Sequence, residues 1–248
     1  LKILVLSDIH GNLDALKTIL ERAPSWDELW ILGDLVDYGP EPAEVIDFVK
    51  SLGPRHLLRG NHDHAVAYGV DCGCGEKTHD LSVYTRNNIS VKMISREQVE
   101  WLRSLSLFER VVDKGLEAIL VHGSPRNPLY DYMLPTLPPE DLRRMLTPPP
   151  LSTYGLKGMI AGLVVSGHTH VPMDLRVGNT RIVNPGSVGQ PRDGDPRASC
   201  GLLDSETMEF RVIRLKYDVE KTLSKLKALI TDKAVYQRLA SILLTGRV

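Results

Sequence analysis

Five short apolar runs in this chain each lead into a loop carrying aspartate, histidine or asparagine, usually beside glycine. That repetition limits the possible folds more than any other feature. Residues 3–6 lead to Asp8-Ile9-His10, residues 29–32 to Gly33-Asp34-Leu35-Val36-Asp37, and residues 56–58 to Gly60-Asn61-His62-Asp63. Residues 116–121 lead to His122-Gly123, and residues 163–165 to Gly167-His168-Thr169-His170. A short, largely apolar run suits a strand covered on both faces. Between the first three runs the spacing is helical. Leu13, Leu16, Ile19 and Leu20 follow a capping Asn12, and a second helix starting at Pro40-Glu41-Pro42 carries Val45, Ile46 and Val49 until Gly53-Pro54 stops it. Strand and helix alternate, with a polar loop after each strand. This is an α/β core, in which ligands collect beyond the carboxyl ends of the strands.

Further along, residues 64–108 read as mostly helical, with a Ser95/Gln98 capping box ahead of Val99, Leu102 and Leu105. Residues 107–112 and 116–121 flank Asp113-Lys114-Gly115 as a hairpin or as adjacent strands. Residues 124–135 are rich in proline, asparagine, tyrosine and arginine, the composition of an active-site or surface loop. A helix over residues 140–146 then meets a rigid connector, Pro148-Pro149-Pro150. Strands are expected at 163–165, 171–177, 181–183, 198–203 and 209–215, forming a second, more antiparallel sheet. Residues 219–244 return to helical spacing, with Leu223, Leu226, Ile230, Val235, Leu239 and Ile242 as a packing stripe. The expected organisation is a single domain over 1–248, with 218–248 a helical segment packed on it.

Composition narrows the partners. A net charge of −1 gives no overall pull toward nucleic acid or an acidic membrane, so an anionic ligand must be attracted locally. Three cysteines, two of them in Cys72-Gly73-Cys74, make no disulfide framework, and a reducing cytoplasm is expected. The first apolar run is too short for a signal or membrane segment. Because the chain opens on Leu1, an initiator methionine is expected to have been removed or omitted.

The loop residues Asp8, His10, Asp34, Asn61, His122, His168 and His170 offer carboxylate, amide and imidazole donors and no thiolate. That mixture suits Mn2+, Fe2+ or Zn2+ in open geometry rather than a closed structural zinc site. Seven ligands are too many for one ion with a vacant position, but they divide well between two ions sharing a carboxylate. Two divalent ions about 3.5–4 Å apart hold a bridging hydroxide and stabilise both oxygens of an in-line phosphoryl displacement. A lone histidine or aspartate at a strand end is ordinarily a cap or turn residue. Here five of the eight histidines fall in these loops, which outweighs that reading.

Together, Asp8-x-His10, Gly33-Asp34-x-x-Asp37, Gly60-Asn61-His62-Asp63, His122 and Gly167-His168-x-His170 resemble the calcineurin-like metallophosphoesterase superfamily. The resemblance implies a two-sheet β-sandwich core flanked by helices. It implies that Asp8, His10 and His170 hold one metal, that Asn61, His122 and His168 hold the other, and that Asp34 bridges them. His62 would serve the leaving oxygen and Asp37 would orient it. Asp63 is read as closing the turn. Serine/threonine protein phosphatases carry an arginine where Tyr38 stands and end the third motif in glutamate, so the chain is more similar to small phosphodiesterases and diadenosine tetraphosphatase-like enzymes.

The expected activity is hydrolysis of a phosphodiester or nucleotide-type substrate. The alternatives are a diadenosine polyphosphate hydrolase, a nucleotide phosphatase, or a catalytically idle protein-binding scaffold. Mn2+ is the expected ion, with Fe2+, Zn2+, Ni2+ or Mg2+ as alternatives. A homodimer is compatible with the C-terminal stripe, and stable nucleic-acid binding is not expected. Arg126 is the expected substrate contact, ahead of Arg192 and Arg59. Tyr130 and Tyr132 could stack on a base or pack their loop. Asn184-Pro185-Gly186-Ser187 is read as site wall. The spacing of Cys72, Cys74 and His79 is poor for zinc.

Overall fold

The computed structural model describes residues 1–113, 115–149 and 158–248, so Lys114 of the expected turn and Pro150 of the connector lie outside the described residues. The described strands are β1 (Lys2–Leu6), β2 (Glu28–Ile31), β3 (His56–Leu57), β4 (Phe108–Asp113), β5 (Leu116–Val121), β6 (Gly162–Val165), β7 (Met173–Val177), β8 (Thr180–Asn184), β9 (Ala198–Asp204) and β10 (Phe210–Leu215). They form two sheets of five strands, ordered β10-β9-β1-β2-β3 and β4-β5-β6-β8-β7.

The period of two along the central strands decides the layers. Leu4, Leu6, Leu29 and Ile31 face the helices α1 (Leu13–Arg22) and α2 (Pro42–Leu52), meeting Leu16, Ile19, Val45, Ile46 and Val49. Ile3, Val5, Trp30 and Leu32 point the other way, onto Leu116, Ala118, Leu120, Leu163 and Val165 of the second sheet. The outer face of that sheet, with Ile119, Val164 and Ile182, is covered by Leu142 and Leu146 in and beside the helix over Pro139–Met145. The fold is α/β, two mixed sheets flanked by helices, as expected. Local signals hold as well. Asn12 Oδ1 accepts from the Ala15 N–H at 3.1 Å, Pro42 opens α2, and Ser95 and Gln98 form their reciprocal cap.

Four α-helices and a π-helix lie between β3 and β4. They are α3 (Asn61–Tyr68), α4 (Glu76–Thr85), a π-helix at Arg86–Ser90, the short α5 (Val91–Met93) and α6 (Arg96–Ser104). The remaining helices are α7 (Pro139–Met145), α8 (Val219–Leu229) and α9 (Lys233–Thr245).

Two expectations are corrected. The last two strands do not join the second sheet: β9 returns to the first sheet and pairs antiparallel with β1, from Lys2 opposite Asp204 to Val5 opposite Gly201. Parallel pairing with β2 uses one edge of β1 and leaves the other edge for β9. The second sheet is accordingly mixed, with β5-β6 and β6-β8 parallel and its outer pairs antiparallel.

The C-terminal stripe folds as two helices, each capped by an aspartate: Asp218 accepts from Lys221 N–H and Asp232 from Ala234 and Val235 N–H. Leu223, Leu226, Ile230, Leu239 and Ile242 pack with Leu81, Ile89 and Tyr38, and Lys225 Nζ reaches both Asp14 (2.6 Å) and Glu41 (2.7 Å). Leu226 is fully buried here. Leu226→Ala should therefore cost about 2–5 kcal/mol in urea denaturation. An unchanged midpoint would mean that these helices do not unfold with the rest.

Candidate active site

The loops after β1, β2, β3, β5 and β6 bring the expected ligands together. Asp8, His10, Asp34, Asn61, His122, His168 and His170 are all between 0 and 2% exposed, so the group lies out of bulk water. His10 Nε2 is 3.1 Å from His170 Nε2, and His170 Nε2 is 3.4 Å from Asp8 Oδ1. His122 Nε2 is 3.0 Å from Asn61 Oδ1 and 3.2 Å from Asp34 Oδ2. Asp34 Oδ2 also lies 3.7 Å from His10 Nε2, so this one carboxylate faces both sets. Candidate ligand atoms of Asp8, His10 and His170 fall within 4.8 Å of one another, and so do those of Asp34, His122 and His168.

Building this cluster requires unusual backbone. Asp8, His10, Asp34, Asp37, Tyr38, His168 and His170 have φ between 49 and 65°, a region that β-carbons disfavour; among the described non-glycine residues, only Met208 outside these loops shares it. Two glycines allow the second and third loops to touch. A β-carbon on Gly60 would lie 2.0 Å from Asp34 Oδ1, and one on Gly33 2.3 Å from Gly60 N.

Most ligands are fixed by a main-chain bond to their rear atom. His10 Nδ1 pairs with Val36 O (2.9 Å), His122 Nδ1 with Leu32 O (2.9 Å) and His170 Nδ1 with Gln190 O (2.5 Å). Asn61 Nδ2 donates to Cys72 O at 2.8 Å, which turns its amide oxygen inward. Asp8 Oδ2 and Asp34 Oδ1 accept the N–H groups of His168 and His62. These bonds set each tautomer and ring plane, as outer partners do in metal centres.

What remains inside is informative. Asp8 Oδ1, Asp34 Oδ2 and His168 Nε2 are buried and make no hydrogen bond among the described residues. Each such atom costs about 1–3 kcal/mol if left so. A cation would satisfy all three, and the carboxylate, imidazole and amide donors suit a divalent first-row ion. The residues fit a metal.

The comparisons with known proteins agree. The calcineurin-like phosphoesterase superfamily domain matches residues 1–208. The chain belongs to that superfamily. As a member it is a metal-dependent phosphoric ester hydrolase. A metallophosphoesterase structure from Sphaerobacter thermophilus superposes with a TM-score of 0.76 at 29% identity, covering 99% of each chain. An uncharacterized protein of Methanocaldococcus jannaschii is 28% identical over 242 residues, 90% of this chain and 91% of that one. A symmetrical bis(5'-nucleosyl)-tetraphosphatase of Serratia proteamaculans is 31% identical over 133 residues, 48% of this chain and 41% of the enzyme. The chain thus spans less than half the length of that tetraphosphatase.

Electrostatics in this phosphoesterase site follow from burial and from the two carboxylates. Burial pushes His10 down to about 3 and takes His168 and His170 well below the ordinary histidine range, which leaves their lone pairs available. Burial also opposes charge on His122, but Asp34 and then Asp8 outweigh it and raise His122 to about 9. Asp34 is held well below the usual carboxylate range because His122 and His62 overcome its burial, whereas burial lifts Asp8 to about 6. The two carboxylates thus draw His122 toward its charged form.

His62 lies beside this group, with Nδ1 3.0 Å from Asp37 Oδ2. Burial works against its charged form, but Asp34 and Asp37 raise it. Asp37 is itself held by Ser90 Oγ (2.8 Å) and Arg86 Nε (3.2 Å). Sequence reading missed Arg86, Ser90 and Gln190. The first two sit in the π-helix, where no short motif marks them, and Gln190 acts through its carbonyl. Ser187 Oγ donates to Asp8 O at 2.8 Å, giving the expected site-wall loop a definite contact.

The other expected residues differ in their surroundings. Arg126 is exposed, and among the described residues its guanidinium makes no hydrogen bond or ion pair. Arg59 is buried and donates to the carbonyls of Arg103 and Leu102. The Tyr132 ring packs on His168, centroids 3.9 Å apart, and its hydroxyl accepts from Gly75 N–H, so it packs the loop. His79 pairs with Asp71 at 2.7 Å, while the Cys72 and Cys74 sulfurs lie 2.6 Å apart.

Asp63 does more than close its turn. Its carboxylate accepts from Gly60 N–H (3.0 Å) and also from Asp34 N–H (2.7 Å) and Leu35 N–H (2.8 Å), joining two ligand loops. Asp63→Ala leaves three N–H groups without that acceptor. It should cost about 3 kcal/mol or more in chemical denaturation and reduce bound metal. Unchanged stability and metal content would refute this role.

Proposed function

We propose that this phosphoesterase hydrolyses a phosphodiester or nucleotide-type ester at a centre of two divalent ions. Asp8, His10 and His170 hold the first, Asn61, His122 and His168 the second, and Asp34 is shared. The observation that carries this reading is the inward convergence of three buried atoms that make no hydrogen bond among the described residues, Asp8 Oδ1, Asp34 Oδ2 and His168 Nε2, with Asp34 facing histidines of both sets. When bound, divalent ions supply Lewis acidity and acidify water for attack. The mixed nitrogen and oxygen donors favour Mn2+, with Fe2+, Zn2+, Ni2+ and Mg2+ also accommodated.

This chain's own residues orient and protonate. His62, aimed through Nδ1 by Asp37, carries the proton that the leaving oxygen needs, and its raised pKa keeps that proton in place. Neighbouring residues of one stretch thus divide the work: Asn61 serves the metal and His62 the proton.

A dinucleoside polyphosphate is the second substrate reading, supported by the tetraphosphatase relative. An idle scaffold is disfavoured because all seven ligand positions are filled with donors. In this reading residues 1–248 act as one domain with the C-terminal helices packed on it, in the cytoplasm, on a small substrate. Among the described residues no helix is long and apolar enough to cross a membrane.

Removing metal with a chelator should abolish hydrolysis of bis-p-nitrophenyl phosphate, and adding Mn2+ should restore it. Fewer than one ion per chain in metal-replete protein would sink the dinuclear reading. Asn61→Ala should weaken metal binding by roughly tenfold or more, read by metal titration. His62→Ala should keep its metal and lose roughly 100- to 10,000-fold in kcat. Full activity in the His62 variant would remove it as the acid.

A further inference from the structure

Arg192 lies at the edge of the candidate centre, in the loop that follows the site wall. Its backbone N–H donates to His170 O at 3.3 Å. Its guanidinium lies over the Tyr38 ring, Cζ 5.5 Å from the centroid, and that ring is 4.9 Å from His10 and 5.0 Å from His62. The arginine is therefore one aromatic ring away from a candidate metal ligand and from the candidate acid.

Its partners leave it charged and open. Nε and Nη2 donate to the neutral Gln190 Oε1, at 3.1 and 2.6 Å. Gln190 is buried, and its carbonyl also orients His170, so the base of the arginine is held by the same residue that steers a ligand. Among the described residues Arg192 forms no ion pair. The nearby acids are taken, Asp193 by Arg214 and Asp195 by Arg197. A guanidinium has five N–H donors, and the Nη1 pair is left over. Other arginines near the site are less suitable, because Asp37 holds Arg86 and backbone carbonyls hold Arg59.

The geometry points to Arg192 as the residue that grips the substrate's phosphoryl oxygens, a contact that rests on the phosphoesterase reading above. A phosphoryl group brings two or three anionic oxygens, and a planar fork with free donors is the side chain that matches them two at a time. Held by a neutral amide rather than by a carboxylate, the fork keeps its full charge for the ligand.

The test is calorimetric titration of inorganic phosphate into the metal-loaded protein, with KM and kcat measured alongside on bis-p-nitrophenyl phosphate. Arg192→Ala should weaken phosphate binding by about 10- to 100-fold and raise KM more than it lowers kcat, with bound metal and thermal midpoint unchanged. Added guanidinium ion should recover part of the loss, and Arg192→Lys should recover less than the native fork. Unchanged phosphate affinity and KM in Arg192→Ala would overturn the proposal. A loss of bound metal in that variant would also overturn it, because the arginine would then act only by holding Gln190 and His170. Failure of the phosphoesterase reading would look different: the native protein itself would take up no metal and hydrolyse no ester.

Discussion

Two carboxylates, Asp8 and Asp34, are buried side by side at the ends of adjacent parallel strands, and the surrounding structure exists to make that tolerable. An unpaired buried charge is costly, and two like charges in one place are worse. Here four imidazoles and an amide close around them, and their remaining inward atoms are left for a cation. The same demand explains why two histidines that face the same Asp34 carboxylate behave oppositely: His10 is driven neutral while His122 is driven toward its charged form. Position relative to Asp34, more than burial, separates them.

Holding so many polar groups at such short range requires the main chain to take up the strain. Seven site residues adopt the left-handed region, and Gly33 and Gly60 let two loops pass at distances no side chain would permit. The Asp63 carboxylate then ties those loops through three backbone N–H groups. Behind the loops, the apolar sandwich supplies a rigid base. Ile3, Val5, Trp30 and Leu32 lock the first sheet to the second, so strand ends from both sheets meet at fixed distance.

Much of this was legible in the sequence because it is local. Apolar runs ending in Asp, His and Asn mark both strand and site, and Asn12, Pro42 and the Ser95/Gln98 pair mark helix starts within a few residues of where they act. The illegible parts depend on distant pairing. Nothing in residues 198–215 says that β9 will choose the free edge of β1 over the second sheet, since that choice depends on which edge is left after β2 has paired. Asp63 looked like a turn residue because two of its three partners, Asp34 and Leu35, are on another loop. The place of Arg192 is hard to read for a similar reason. In sequence it lies 154 residues from Tyr38, the ring it covers.

The carbonyls that steer His10, His122, His170 and Asn61 belong to Val36, Leu32, Gln190 and Cys72. A backbone oxygen does not depend on the identity of its side chain. These steering positions are therefore free to drift over evolutionary time, provided the strand ends keep their path. A structure only 29% identical, from Sphaerobacter thermophilus, has the same overall fold, and in this chain the support of the candidate site is stored chiefly as backbone trajectory.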